Sequence, residues 1–85
     1  MKTVEVTILG KPDCHLCDVA EEVIRDIAGS ISEIVEVRLN KRSILDDEAL
    51  YSAHWERIPV IFVNGLEHSH WRVNPERLRE AILKE

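Results

Sequence analysis

Two cysteines separated by two other residues are the feature of this sequence with the clearest chemistry. Cys14 and Cys17 are the only cysteines in the 85-residue chain. Disulfide exchange needs one accessible thiolate and a second thiol close enough to release the mixed disulfide, and the C-x-x-C spacing supplies both. The alternative is a pair of structural cysteines that only pack as small apolar side chains. We predict the redox dithiol.

The neighbouring sequence predicts that these cysteines lie where a strand leads into a helix. Residues 3–9 alternate between polar and apolar, which is typical of a β-strand. After the loop 10–13, apolar residues recur at helical spacing over about 15–28, and Gly29 suits the left-handed position that follows a helix. A cysteine at a helix N-terminus faces unpaired N–H groups and the positive end of the helix dipole. That environment lowers a cysteine pKa from about 8.5 to roughly 3.5–7.5.

Charged residues close to the cysteines act on the thiolate in both directions. Lys11 and a protonated His15 favour the thiolate, whereas Asp13 and Asp18 oppose it. His15 either stabilises the thiolate, or shuttles a proton, or is an exposed histidine in the first helical turn. The sequence leaves these alternatives open.

A different chemistry for the same cysteines is metal binding. Cys14, Cys17, His68 and His70 would form a Cys₂His₂ set for zinc if the fold brought the last strand back to the cysteines. Residues two apart share one face of a strand, so both histidines would point the same way. The spacing is not that of a zinc finger, since these histidines belong to a hairpin. A non-catalytic metal-binding or adaptor module is therefore our alternative, and the main prediction contains no metal ligand.

The middle of the chain predicts a strand and a helix. A half-buried strand over 34–39 is predicted at an edge of the sheet, followed by a polar turn at 40–42. The capping pattern Ser43-x-x-Asp46 predicts a second helix that runs to about His54. The predicted inner face of this helix consists of Leu45, Ala49, Leu50 and Ala53.

The last third of the chain predicts a hairpin and a further helix. The apolar segment 57–63 contains Pro59, which has no N–H and therefore belongs at the start or the edge of a strand. Asn64-Gly65 is a strong hairpin signal, and the partner strand is predicted from residue 66 to about residue 71. The third helix is predicted from its N-cap, its first-position proline and its apolar face, which are Asn74, Pro75, Leu78, Ala81 and Ile82.

The predicted order of elements is β-α-β-α-β-β-α, which indicates an α/β fold. The strand–helix–strand unit makes the first two strands parallel, with a right-handed crossover, and the hairpin adds an antiparallel pair. We therefore expect a four-stranded mixed sheet with helices on both faces. The length indicates a single domain over residues 1–85.

Composition and charge exclude several classes of function. The formal net charge is −5, so the chain lacks the basic stripe that neutralises nucleic-acid phosphates. No apolar run approaches the ~20 residues of a membrane span, and the N-terminus carries no long apolar export signal. Two cysteines in a chain without an export signal point to a reducing compartment. We expect a monomeric, cytoplasmic protein that binds neither nucleic acid nor a membrane.

The order of these motifs resembles the thioredoxin fold. The C-x-x-C follows strand one, and Ile58-Pro59 precedes strand three. The Lys11-x-x-Cys14 spacing and the sequence Ile-Pro-Val-Ile-Phe-Val-Asn-Gly at 58–65 are similar to glutaredoxins, and the resemblance extends over essentially the whole chain.

The resemblance implies a role for several residues. Cys14 would be the exposed nucleophile and Cys17 the buried resolving thiol. Pro59 would be cis and face the cysteines, and Ile58 would offer its backbone to an extended substrate. Lys11 would lie near the thiolate or a substrate carboxylate.

The sequence departs from glutaredoxins where that family binds glutathione. Ser69-His70 stands in place of a glycine pair, and Trp71-Arg72 in place of an acidic residue that helps to hold glutathione. We therefore predict a thiol–disulfide oxidoreductase that binds glutathione poorly, uses no cofactor beyond its own cysteines, and works with a protein disulfide or thiol and a reductase. Its predicted substrate-binding residues are Lys11, His15, Ile58, Pro59, Ser69, His70, Trp71 and Arg72.

Overall fold

The computed structural model describes residues 1–85 and contains the predicted order of strands and helices. The elements are β1 (Lys2–Gly10), α1 (His15–Ser30), β2 (Val35–Ser43), a short 3-10 helix (Ile44–Asp46), α2 (Glu48–His54), β3 (Val60–Val63), β4 (Leu66–His70) and α3 (Pro75–Lys84). None of these helices combines the length and the apolar character that crossing a membrane requires.

The four strands form one mixed sheet in the order β2-β1-β3-β4. β1 runs parallel to β2 and antiparallel to β3, and β3 and β4 form the antiparallel hairpin. The predicted mixed sheet, with β2 at an edge, is confirmed. Gly10 pairs with Ser43 and Leu9 pairs with Val60, so the ends of β1 and β2 and the start of β3 meet at one end of the sheet. The loop that carries the cysteines leaves from this same end.

Apolar side chains cover both faces of the sheet, as predicted. The larger cluster packs α1 and α3 against one face and consists of Val4, Val6, Ile8, Ala20, Ile24, Ile27, Ile31, Val35, Ile61, Val63, Leu78 and Ile82. The smaller cluster lies on the other face and consists of Leu9, Ile44 and Val60, with Leu50 of α2 packed against it. Full burial of one such aliphatic side chain contributes roughly 1.5–3 kcal/mol, so the larger cluster dominates the stability.

The hairpin turn and the start of α3 follow the local sequence signals. Asn64 and Gly65 have φ values of 48° and 84°, the positive values that a tight two-residue hairpin turn requires. The Asn74 side chain accepts a hydrogen bond from the Arg77 N–H at 3.1 Å, and Pro75 is the first residue of α3. Both predictions are confirmed.

The predicted end of α1 at Gly29 is wrong. The helix includes Gly29 and continues to Ser30, and Ile31 caps it by donating its N–H to the Ile27 carbonyl at 3.2 Å. Gly29 has no left-handed backbone. Ile31 is only 1% exposed, so burial of this side chain in the main core favours the longer helix.

The predicted polar turn at 40–42 is also wrong, because these residues continue β2. β1 offers a parallel partner as far as the Gly10–Ser43 pair, and the backbone of β2 bonds to it throughout. The side chains of Asn40, Lys41 and Arg42 are exposed. An edge strand tolerates such a polar end, since only its backbone needs a partner.

The predicted inner face of the second helix is largely wrong. Only Leu50 is half-buried, whereas Leu45, Ala49 and Ala53 are exposed. Ile44, in the 3-10 helix, occupies the core position instead and is 2% exposed.

Two caps explain this shift. Ser43 caps only the 3-10 helix, through the Leu45 N–H at 3.0 Å. Asp47 then caps α2 by accepting from the Ala49 N–H at 2.7 Å, so α2 begins later than the sequence pattern indicates.

Candidate functional site

Cys14 is the N-cap residue of α1. Its backbone is extended, with φ −115° and ψ 105°, and its Sγ atom accepts a hydrogen bond from the Cys17 N–H at 3.2 Å. Asp13 before it has a φ of 58°, a left-handed conformation that aspartate tolerates better than most residues. Because of this turn at Asp13, the Cys14 sulfur lies next to the unpaired N–H groups of the first helical turn.

Cys14 and Cys17 are joined by a disulfide bond, with their Cα atoms 5.2 Å apart. Cys14 is half-buried, whereas Cys17 is buried and only 7% exposed. Cys14 is therefore the more exposed of the two cysteines. No other cysteine is present to compete for either partner.

Gly10 lies against the inner cysteine. A Cβ atom at Gly10 would be 2.7 Å from the Cys17 Sγ atom and 3.2 Å from its Cβ atom. Any side chain at position 10 would therefore displace Cys17. No motif of the sequence predicts this contact of Gly10. The available signal was a glycine at the end of a strand, which often marks a close approach of another group.

Pro59 lies beside Gly10 on the neighbouring strand. The pair Leu9–Val60 is the last of the β1–β3 ladder, so the next residues along these strands, Gly10 and Pro59, are neighbours across it. Pro59 is buried, and its carbonyl accepts a hydrogen bond from the Trp71 N–H at 2.8 Å. Gly10, Pro59 and Trp71 thus form a row across the end of the sheet, and Gly10 at one end of this row contacts Cys17.

Ile58 leads into this row, and its peptide bond to Pro59 is cis. Its half-buried side chain packs against the smaller core cluster. The backbone N–H and carbonyl of Ile58 make no hydrogen bond to the rest of the backbone.

A polar cavity of about 320 Å³ lies on the β2 side of Cys17. Lys11 and Glu21 line it together with Lys41 at the end of β2. The Glu21 carboxylate accepts from Lys41 Nζ at 2.8 Å and from Arg25 Nη2 at 2.8 Å. These hydrogen bonds, that from Lys41 foremost, lower the pKa of Glu21 below its ordinary value of 4.5. The Glu21–Lys41 ion pair links α1 to β2, and Cys17 lines the same cavity.

The structure divides the other predicted site residues between several places. His15 is the exposed first residue of α1, and His70 is exposed at the end of β4. Ser69 is half-buried within β4, and its buried hydroxyl has no hydrogen-bond partner. Trp71 and Arg72 are exposed and follow β4, so the strand ends before Trp71 and not at it.

The four residues of the alternative zinc set are not brought together. β4 has a bulge at His68, where the pairing with β3 skips one residue, and this contradicts the expected common face of the two histidines. His68 lies on the α3 side, near Arg77, whereas His70 lies opposite Val60 on the other face. Burial foremost, and then the charge of Arg77, lower the pKa of His68 below its ordinary value of 6.5.

The fold and the cysteine pair define a thioredoxin-fold protein with a C-x-x-C disulfide. Chloroplastic thioredoxin z is similar, with a TM-score of 0.72 and 13% identity over 98% of this chain and 78% of that one. Mitochondrial thioredoxin 3 of Saccharomyces cerevisiae, in its oxidized form, has a TM-score of 0.66 and 13% identity over 100% and 81% of the two chains. At such identities the similarity concerns the fold alone.

The chain belongs to the glutaredoxin-like family, because the model of the Glutaredoxin-like domain (DUF836) matches residues 5–83. The protein XcR50 from X. campestris has a TM-score of 0.74 and 31% identity, over 94% of this chain and 97% of that one. The uncharacterized protein Rv0508 of Mycobacterium tuberculosis is 24% identical over 99% of this chain and 88% of its own length. The predicted family and fold are confirmed, and the cysteine pair supports a thiol–disulfide redox function.

Proposed function

We propose that this protein is a dithiol thiol–disulfide oxidoreductase in which Cys14 is the nucleophile and Cys17 the resolving thiol. The observation that supports this most strongly is the Cys14–Cys17 disulfide at the start of α1, with Cys14 the more accessible sulfur. The other residues that belong to the proposal act on this pair or on the substrate.

The proposed reaction transfers two electrons in two exchanges. The Cys14 thiolate attacks one sulfur of the substrate disulfide, a new S–S bond forms, and the other substrate sulfur leaves as a thiolate and takes up a proton. Cys17 then loses its proton and attacks the Cys14 sulfur. The internal disulfide forms and the second substrate thiol is released. A dithiol reductant restores the reduced protein by the reverse exchange.

The position of Cys14 supports its role as nucleophile. Its sulfur already accepts the Cys17 N–H at 3.2 Å, and it lies at the positive end of the α1 dipole. Both features stabilise a thiolate more than a thiol, which is how helix N-termini lower cysteine pKa values. Lys11 and His15 are both exposed and are close to Cys14 in the sequence. Lys11, and His15 when it is protonated, would add positive charge that favours the thiolate.

The free backbone of Ile58 supports binding of an extended peptide. Its N–H and carbonyl have no backbone partner, and Pro59 next to it lies beside Gly10 and hence near the disulfide. An extended chain that bonds to Ile58 would gain main-chain hydrogen bonds of the kind used in β-strand addition. A protein disulfide in an exposed, extended segment fits this geometry better than a compact small molecule.

We propose that glutathione is a poor partner and that electrons come from a protein dithiol or a thioredoxin-type reductase. Ser69 and His70 place side chains where a glycine pair would leave the backbone open to a ligand. Arg72 offers a positive charge where an acidic residue would meet the ammonium group of glutathione. The proposal includes no further cofactor, a monomeric protein and a reducing, cytoplasmic environment.

Two coupled assays with the same disulfide substrate test this proposal. One supplies electrons through glutathione and glutathione reductase, and the other through thioredoxin reductase, with NADPH consumption as the signal in both. We expect turnover in the second assay and at most weak turnover in the first. The Cys14→Ser variant should be inactive in both. Equal activity of Cys14→Ser and the wild type would reject the proposal.

A further inference from the structure

Trp71 has an unusual backbone conformation at the edge of the site. Its φ is 64°, and the Arg72 N–H donates to the His70 carbonyl at 2.8 Å across it. This is a γ-turn with a positive central φ, which is the rare and strained form. A bulky residue with positive φ is an outlier, and such strain persists only where the surroundings impose it.

Two hydrogen bonds impose this conformation. The Trp71 backbone N–H donates to the Pro59 carbonyl, and its indole Nε1–H donates to the Glu56 carbonyl, each at 2.8 Å. Trp71 therefore bridges both ends of the segment 56–59, which includes the free backbone of Ile58. The indole is fixed relative to the place where an extended substrate would bind.

The fixed indole is nevertheless half in solvent. Trp71 is 53% exposed, its indole N–H is already bonded, and the His70 ring packs against it edge-on with the ring centroids 4.8 Å apart. A ring that is already immobilised loses little conformational entropy when a ligand covers it. Exposed, pre-ordered aromatic residues are typical of binding surfaces.

Trp71 lies two strands away from Gly10, the residue whose backbone contacts Cys17. Neighbouring strands are about 4.7–4.9 Å apart, so the backbones at positions 10 and 71 are about 10 Å apart. An extended peptide advances roughly 3.3 Å per residue. A substrate residue about three positions from the reacting cysteine would therefore reach the indole.

We propose that Trp71 is a specificity-determining residue that binds an apolar side chain about three positions from the reacting cysteine of an extended peptide substrate. This inference rests on the proposed thiol–disulfide exchange and adds the substrate class.

Kinetics with paired substrates test this subsite. One peptide carries leucine three positions on either side of a cysteine in a mixed disulfide, the other carries serine there, and hydroxyethyl disulfide has no peptide part. We expect the wild type to prefer the leucine peptide about tenfold in kcat/KM through a lower KM, the size of effect typical of a buried tryptophan contact. Hydroxyethyl disulfide should be reduced equally by the wild type and by the control variant Trp55→Ala.

Three variants separate a contact from a structural role. Trp71→Gly adopts the positive φ without strain and removes the ring, so the preference should disappear. Trp71→Phe keeps a ring and should retain most of the preference. Trp55→Ala removes a tryptophan that is also 53% exposed but stacks on Tyr51, and it should behave like the wild type. A preference that survives in Trp71→Gly, or is lost equally in Trp55→Ala, would overturn the inference.

A binding measurement decides the question without turnover or mutation. The leucine peptide, with serine replacing its cysteine, is titrated into the oxidised wild type while the two indole N–H resonances are followed by NMR. The Trp71 resonance should shift and the Trp55 resonance should not; the opposite result, or no shift, overturns the subsite. If the wild type reduces none of the three disulfides, the proposed function fails, and this titration still tests Trp71 on its own.

Discussion

The Cα atom of Gly10 and the sulfur of Cys17 lie so close together that no side chain fits between them. A Cβ atom on Gly10 would approach the Cys17 Sγ atom to 2.7 Å. The last residue of β1 and the first turn of α1 are therefore in direct contact. This contact fixes the depth of the inner cysteine and leaves Cys14 as the outer one.

Gly10→Ala should destabilise the protein, because the added methyl group must displace Cys17 or the backbone of β1. We expect a loss of about 1–3 kcal/mol in the free energy of unfolding, measured by denaturant titration of the oxidised protein. Gly29→Ala is the matched control, because a Cβ atom there meets nothing within 4 Å. As Gly29 lies inside α1, its replacement should stabilise by about 0.5–1 kcal/mol. Equal effects of the two substitutions would contradict the contact.

Glu21→Gln should weaken the link between α1 and β2 at neutral pH. The native-state pKa of Glu21 lies below its ordinary value of 4.5, so the ionised form stabilises the fold above that pH. This contribution is lost as the pH falls through the lower native value. We expect Glu21→Gln to cost about 0.3–1 kcal/mol at pH 7 and nothing in strong acid, measured by urea unfolding at several pH values.

Glu36→Gln is the control for that measurement. It removes a pair with Arg38 in which both side chains are more than half exposed, 53% and 68%, so its effect should be smaller. A cost for Glu21→Gln that stays constant from neutral to strongly acidic pH would show that its charge is not the stabilising feature.

Histidine 68 should make the protein less stable as the pH falls below neutral. Its native-state pKa lies below the ordinary value of 6.5, so the unfolded chain binds the proton more tightly. The stability is therefore full above about pH 6.5 and decreases as the pH falls towards the native value. In His68→Gln, the midpoint temperature of thermal unfolding should change less between pH 7.5 and pH 5 than it does in the wild type.

Two arginines on α3 separate the causes of this pH dependence. Arg77→Gln removes the nearby positive charge and should reduce the slope in part, since burial is the larger cause. Arg79→Gln removes an exposed charge that is not a cause of the shift and should leave the slope unchanged. A slope that His68→Gln does not alter would assign the pH dependence to another group.

Much of the fold was predictable because its signals are local. Asn64-Gly65 specified the hairpin and Asn74-Pro75 the start of α3, since each acts through its own backbone geometry. Gly29 and the segment 40–42 misled the prediction. Their conformations depend on Ile31 in the core and on pairing with β1, which are contacts with distant parts of the chain.

The candidate site was predictable as a motif and not as a geometry. The C-x-x-C spacing indicated the disulfide, but nothing local shows that Gly10 touches Cys17. The bulge at His68 moved that histidine to the opposite face from His70, and a strict alternation along the strand cannot anticipate it. The strained turn at Trp71 depends on acceptors in the 56–59 segment, far away in the sequence.

Glutathione should bind weakly or not at all at the end of β4. We expect a titration followed by NMR to give no saturable shifts at submillimolar glutathione, because Ser69 and His70 replace an open backbone and Arg72 repels an ammonium group. Clustered shifts at Lys11, Ile58 and residues 69–72 at such concentrations would show that a glutathione pocket is present.

Trapping of the mixed disulfide tests the roles of the two cysteines most directly. Reduced wild type, Cys14→Ser and Cys17→Ser are each mixed with a peptide disulfide, and the intact masses are measured by mass spectrometry. We predict that Cys17→Ser gains the mass of one thiol half of the substrate disulfide, joined to Cys14, and that Cys14→Ser remains unmodified. The wild type should end as the Cys14–Cys17 disulfide, with both peptide thiols released. An adduct that accumulates on Cys14→Ser as fast as on Cys17→Ser, or a wild type that never forms the internal disulfide, would contradict the proposed mechanism.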